Sequence, residues 1–198
     1  MMIRSFVAIE LSDSIRHGLL GVVEQMRHRV PRDSVRWTNV SGIHLTLKFL
    51  GDVGEDDLPR IKDILSQVGQ RHDHFTLAVG GVGCFPNAKR PRVVWVGVDE
   101  QTGHLTALQR DVEESLGALG FQPEERGFQP HLTLGRTRRD VSSRDQGRLG
   151  ETVATAGVGT LGQMHVESFR LMRSDLRPDG AVYSTLALFR LGATQEPQ

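Results

Sequence analysis

His44-Leu45-Thr46-Leu47-Lys48-Phe49-Leu50-Gly51 alternates apolar and polar side chains, and its first four residues return at His131-Leu132-Thr133-Leu134. A period of two predicts a strand, with each His and its Thr on one face and the leucines on the other. Carried strictly from Ile43, the alternation places Ile43, Leu45, Leu47 and Phe49 in the core, with His44, Thr46 and Lys48 opposite. Two such strands offer two imidazoles and two hydroxyls around one small site. Cleavage of a phosphate diester near neutral pH needs that set. One neutral imidazole takes a proton from water and one imidazolium protonates the leaving oxygen, and an unperturbed pKa near 6.5 lets both forms exist. The threonine hydroxyls can hydrogen-bond the non-bridging phosphate oxygens. The residues alone do not say which histidine is acid and which is base.

Working outward, each motif closes a similar unit. Ser5–Glu10 is a strand candidate, and Ser12 caps a helix running to about Arg29 before Pro31. The buried stripe of that helix is Ile15, Leu19, Val22, Val23 and Met26. In the second half, Arg92–Val98 is a strand and Thr102–Leu119 a helix with Leu105, Leu108, Val112 and Leu116 inward. The intervals from Phe6 to His44 and from Val93 to His131 are equal, at 38 residues (44 − 6 and 131 − 93). A repeated strand–helix–strand unit predicts two similar lobes facing one cleft. Further expectations are a helix over 56–68, a strand over 75–79 with a Gly-rich turn at Gly80–Gly83, and helix or loop over 138–148. Closing strands are expected over 166–172 and 182–191, joined by a turn at Pro178-Asp179-Gly180, with a frayed tail over 193–198.

Composition bounds the function. The chain has 198 residues, enough for one domain with a real core. Formal net charge is zero, which argues against coating long nucleic acid, so any RNA contact should be short and local. With one cysteine, Cys84, no intrachain disulfide forms, and a cytoplasmic setting is expected. No signal peptide or membrane span is expected.

The motifs carry a family resemblance over about residues 3–191. The first, with its Lys48-Phe49-Leu50-Gly51 extension, and the second, Phe128-Gln129-Pro130-His131-Leu132-Thr133-Leu134-Gly135-Arg136, resemble those of the 2H phosphoesterase superfamily. Arg4–Leu11 and the Phe85-Pro86 to Gly97 segment resemble one branch, the RNA 2′,3′-cyclic phosphodiesterases, historically called 2′-5′ RNA ligases. The resemblance implies an α+β, bilobal fold with pseudo-twofold symmetry, an antiparallel sheet and helices in each lobe, and the active-site cleft between them. It implies hydrolysis of 2′,3′-cyclic phosphate ends of RNA or small nucleotides to 2′-phosphates. His44 is then the proton donor and His131 the proton acceptor, and Thr46, Thr133 and Arg136 bind phosphate. No metal, cofactor or obligate protein partner is expected. Joining RNA ends or cleaving 2′-5′ linkages at the same site is the near alternative, and an RNA-end binding module the distant one.

Other residues have simpler readings. His104-Leu105-Thr106 lies in a helical pattern, where i and i+2 do not share a face, so His104 is expected exposed and not catalytic. His72-Asp73-His74 lacks further ligands at metal spacing and is expected as a solvated loop. Gly80-Gly81-Val82-Gly83 lacks the Lys-Ser/Thr of a phosphate loop. Cys84 is expected as a buried or turn-adjacent thiol. Lys89-Arg90-Pro91-Arg92 is a solvated loop that could reach RNA phosphates. Phe49, Phe85 and Trp95 are aromatic candidates for base stacking, with Phe49 and Trp95 expected in the core.

Overall fold

The computed structural model describes residues 1–124, 127–177 and 180–192. Pro178 and Asp179, where a turn is expected, and the 193–198 tail, expected to be frayed, lie outside the described residues.

Nine strands and four α-helices are described. In chain order they are β1 (Met2–Glu10), α1 (Asp13–Arg29), β2 (Val35–Trp37), β3 (His44–Gly54), α2 (Leu58–Gln70), β4 (Phe75–Phe85) and β5 (Val93–Asp99). There follow α3 (His104–Gly117), β6 (His131–Thr137), α4 (Ser143–Ala154), β7 (Thr160–Val166), β8 (Ser168–Arg177) and β9 (Gly180–Arg190). One sheet has the order β3-β1-β8-β9 and the other β2-β6-β5-β4-β7, and all the pairings are antiparallel. The stretch β6-β5-β4-β7 therefore repeats the order β3-β1-β8-β9, and β2 is an extra edge strand on the second sheet only.

Local chemistry sets the helices where the sequence places them. The Ser12 side chain accepts from the Ile15 N–H, and the Ser142 side chain accepts from the Asp145 N–H. Pro59 sits in the first turn of α2, where its missing N–H costs nothing. The stripe Ile15, Leu19, Val22, Val23 and Met26 is buried as its spacing predicts.

The helices exchange sheets. The helix α1 follows a strand of the first sheet but packs on β7 of the second, beside α4. Conversely, α3 follows a strand of the second sheet and packs on β3 and α2, which also covers β8 and β9. Each repeat thus lends its helix to the other lobe. One hydrophobic core results, running from Val7 and Leu45 in one sheet to Val94 and Leu132 in the other.

Several expectations change here. The strand over 75–79 continues to Phe85, so Gly80–Gly83 lie inside β4 rather than in a turn. The reason is close packing: a Cβ on Gly83 would fall on the Trp95 indole, and one on Gly80 would lie 2.8 Å from the Gly159 carbonyl. Neither β2 nor β7 was anticipated. Three residues are too few for a period, and Thr160–Val166 shows little alternation. The His72–His74 segment is a largely exposed connection, as expected, with both histidines also hydrogen-bonded. His72 Nε2 lies 2.9 Å from Asp111 Oδ2, and His74 Nε2 lies 2.8 Å from the Leu191 carbonyl. No group of three or more potential metal ligands occurs among the described residues. No described helix is long and apolar enough to cross a membrane.

Candidate active site

Strands β3 and β6 belong to different sheets, yet they approach within 8 Å between Cα atoms. Leu45, Leu47, Leu132 and Leu134 are buried in the shared core, while His44, Thr46, His131 and Thr133 are half-buried on the opposite faces. The two histidines are held alike. Nδ1 of His44 lies 2.9 Å from the Gly42 carbonyl, and Nδ1 of His131 lies 2.8 Å from the Gln129 carbonyl. A carbonyl only accepts, so each Nδ1 carries the hydrogen and each Nε2 is left for a ligand.

A bulge then breaks the alternation in both strands, at the same place. In the first sheet Ala8 opposes Thr46 and Val7 opposes Lys48, so Leu47 is extra. In the second, Trp95 opposes Thr133 and Val94 opposes Gly135, so Leu134 is extra. The extra residue flips the side chains that follow it, in β3 as far as a second register shift at Leu50. Lys48 consequently points inward, at 4% exposure, and Phe49 outward, at 64%. This corrects two expectations, since Lys48 leaves the histidine face and Phe49 joins it. The same flip turns Gly135 inward and carries Arg136 out onto the face of His131 and Thr133. Gly135 is required there, because a Cβ would lie 2.7 Å from Val35 Cγ1 and 2.9 Å from the Arg36 carbonyl. Phe49 and Arg136 are thus equivalent positions of the repeat, one aromatic and one cationic.

Each histidine stands in an aromatic setting. The Phe6 ring stacks on His44 at 4.5 Å between centroids, and Tyr183 meets it edge-on at 5.0 Å. Phe6 also touches Phe49, at 6.1 Å. Phe85 meets His131 edge-on at 4.9 Å and leans on Trp95 at 5.1 Å. Trp95 directly opposes Thr133 and so belongs to the histidine face, half-buried, not to the core as its apolar strand implied. Phe6 and Tyr183 escaped the sequence reading. Phe6 sits in an apolar strand, and Tyr183 lies far along the chain in the last hairpin.

Arg16 also escaped it. Its Nη1 donates to the carbonyls of Val40, Ser41 and Ile43, at 3.1, 2.9 and 3.2 Å, and so pins the turn that leads into His44. Burial lowers the His44 pKa to about 4; the Gly42 hydrogen bond opposes this and the Arg16 charge adds to it. The His44 imidazole is therefore neutral at pH 7 in the free protein. The Cys84 thiol is pushed up by burial, which leaves it a poor nucleophile. His104 is exposed at the first position of α3, where its Nδ1 meets the Thr102 hydroxyl at 2.6 Å.

The 2′-5′ RNA ligase superfamily model matches residues 13–175. The chain belongs to the 2′-5′ RNA ligase superfamily. Within it, the chain is 38% identical over 186 residues to the RNA 2′,3′-cyclic phosphodiesterase of Archaeoglobus fulgidus, covering 94% of this chain and 99% of that one. It is 33% identical over 191 residues to the enzyme of the same name from Methanothermobacter thermautotrophicus, covering 96% and 100%. Among solved structures it resembles TT0787 of Thermus thermophilus, with a TM-score of 0.79 and 26% identity over 97% of this chain and 100% of that one. Escherichia coli LigT complexed with 3′-AMP shares the fold, with a TM-score of 0.77 over 96% of this chain and 99% of that one, at 24% identity. The α+β, two-lobed architecture expected of the superfamily is the one found.

Proposed function

We propose that this chain is an RNA 2′,3′-cyclic phosphodiesterase, a hydrolase that opens the cyclic phosphate to a 2′-phosphomonoester by acid–base catalysis without a metal. The observation that carries the reading is the matched tethering of the two imidazoles. Two strands from different sheets, within 8 Å of each other, each present an Nε2 whose tautomer is set by a carbonyl two residues back. The relatives named RNA 2′,3′-cyclic phosphodiesterase, similar over nearly the whole chain, support the same substrate.

In this mechanism His131 Nε2 takes a proton from water as its oxygen attacks phosphorus. The P–O3′ bond breaks in line, and His44 Nε2 delivers a proton to O3′. Thr46, Thr133 and Arg136 hold the non-bridging oxygens, whose charge grows in the transition state. The low pKa of His44 fits this role once substrate is present. A phosphate anion about 4 Å away is worth about 4 kcal/mol at an effective dielectric near 20, or about 3 pKa units. That returns His44 from about 4 to near neutrality. Phe49, exposed beside Phe6, offers its ring to the terminal base. The proposal includes a cytoplasmic setting, supported by the single cysteine.

The test is to incubate the protein with a nucleoside 2′,3′-cyclic phosphate in excess chelator and identify the isomer. Formation of the 2′-phosphate is expected. Loss of activity in chelator would overturn the metal-free chemistry, and a 3′-phosphate product would reverse the leaving group. The superfamily's ligase name favours a second assay, in which a ribose 5′-hydroxyl replaces water and a 2′-5′ bond forms.

A further inference from the structure

We infer that Arg36 binds a second phosphate, the internucleotide phosphate next to the cyclic end, and so makes the site prefer an RNA terminus over a free cyclic nucleotide. The inference rests on the proposed function, because it takes the cyclic phosphate to lie against His131 and Arg136.

Arg36 and Arg136 are directly opposed across the β2–β6 pair. Opposed residues of an antiparallel pair share a face with Cβ atoms about 5 Å apart, and like charges in that position repel. Among the described residues neither guanidinium has an acidic partner or a hydrogen bond, and both side chains are exposed. Two neighbouring cations held on one face are relieved by anions, and a guanidinium suits phosphate oxygens.

The placement separates the two roles. Arg136 follows Thr133 on the histidine's own strand, while Arg36 lies one strand further out, on the edge. Its Nη2 reaches to 4.0 Å from where a Gly180 side chain would begin, on the hairpin of the other sheet, so it flanks the gap between the sheets. The strand β2 has no counterpart in the first sheet, and the position equivalent to Arg136 there is Phe49. One side of the site is thus aromatic and the other doubly cationic. A nucleotide set with its base toward Phe49 and its cyclic phosphate on Arg136 has its preceding phosphate near Arg36. Basic residues continue outward from there. Exposed Arg92 and Arg138 are joined to this end of the sheet by backbone hydrogen bonds, from Thr137 N–H to the Arg92 carbonyl and from Arg138 N–H to the Ser34 carbonyl. This concentrates positive charge locally in a chain of zero net charge.

The experiment compares kcat/KM for adenosine 2′,3′-cyclic phosphate with that for a short oligoadenylate ending in the same group, in unmodified protein, Arg36→Met and Arg36→Lys. Arg36→Met should lower the oligonucleotide-to-mononucleotide ratio about tenfold, the size of one charge-assisted contact. It should also flatten the salt dependence of the oligonucleotide reaction by about 0.7 in the log–log slope, the release expected for one single-strand phosphate. Arg36→Lys should keep the slope. A purely structural role for Arg36 would leave the ratio and slope unchanged, and that result overturns the inference. Failure of the unmodified protein to open the cyclic phosphate of either substrate would instead overturn the proposed function, so the two failures are distinguishable.

Discussion

Replacing Lys48 by Met tests the bulge, and its cost can be worked from the site. The Lys48 side chain is 2% exposed and pairs with Glu113, whose side chain is 16% exposed. Lys48 Nζ also donates to the Gln122 carbonyl at 2.8 Å. Removing one partner of a buried pair costs about 3–5 kcal/mol, mainly through the charge left behind. Here Glu113 retains the Glu124 N–H at 2.9 Å and Gln109 Nε2 at 3.4 Å, so the lower end, about 3 kcal/mol, is expected. At about 2–4 °C per kcal/mol for a chain of this size, Tm should fall by about 6–12 °C, measured by thermal unfolding with a denaturant series. Lys48→Met with Glu113→Leu should recover more than half of the loss, because no unpaired charge remains. Phe49→Asp, on the exposed side of the bulge, should cost no more than about 1 kcal/mol. Unbroken alternation makes the opposite forecast, with Phe49 the buried residue and Lys48 free to change. A harmless Lys48→Met beside a crippling Phe49→Asp would refute the bulge and the face assignments of Phe49 and Arg136.

Further outcomes follow from the site. The pH profile of kcat should be displaced to higher pH than that of kcat/KM, because bound phosphate raises a His44 pKa that is about 4 in the free protein; coincident profiles would count against His44 as the proton donor. The same depressed pKa makes the unfolded chain the better proton acceptor, so stability should be full above pH 6.5 and fall by roughly 3 kcal/mol as pH drops toward 4. His44→Gln should remove that dependence in pH-resolved urea unfolding. Phe49→Ala should raise KM by roughly 5- to 150-fold, the value of one stacked base, with kcat little changed. Gly135→Ala should destabilise by about 1–3 kcal/mol and lower the oligonucleotide preference, because its Cβ would displace Val35 and the β2 backbone that carries Arg36.

The sequence by itself determined the local elements and which residues are candidates for the chemistry. Paired His-Leu-Thr-Leu segments, Ser12 as a cap and the stripe from Ile15 to Met26 are local patterns, and each is legible as a strand or helix from its own stretch of chain. His104 could be set aside for the same reason. The tertiary structure alone decided what lies beyond Leu47 and Leu134. A bulge is a property of two paired strands, and no period within one strand announces it. Hence Phe49, Trp95 and Arg136 came to the histidine face and Lys48 left it only once β1 and β5 supplied the register. The exchange of helices between lobes, the grip of Arg16 on the turn before His44, and the meeting of Arg36 with Arg136 likewise join segments distant in the chain. Such contacts form because burying one shared core leaves the two repeats little other way to pack, and that constraint acts on the whole chain rather than on any stretch of it.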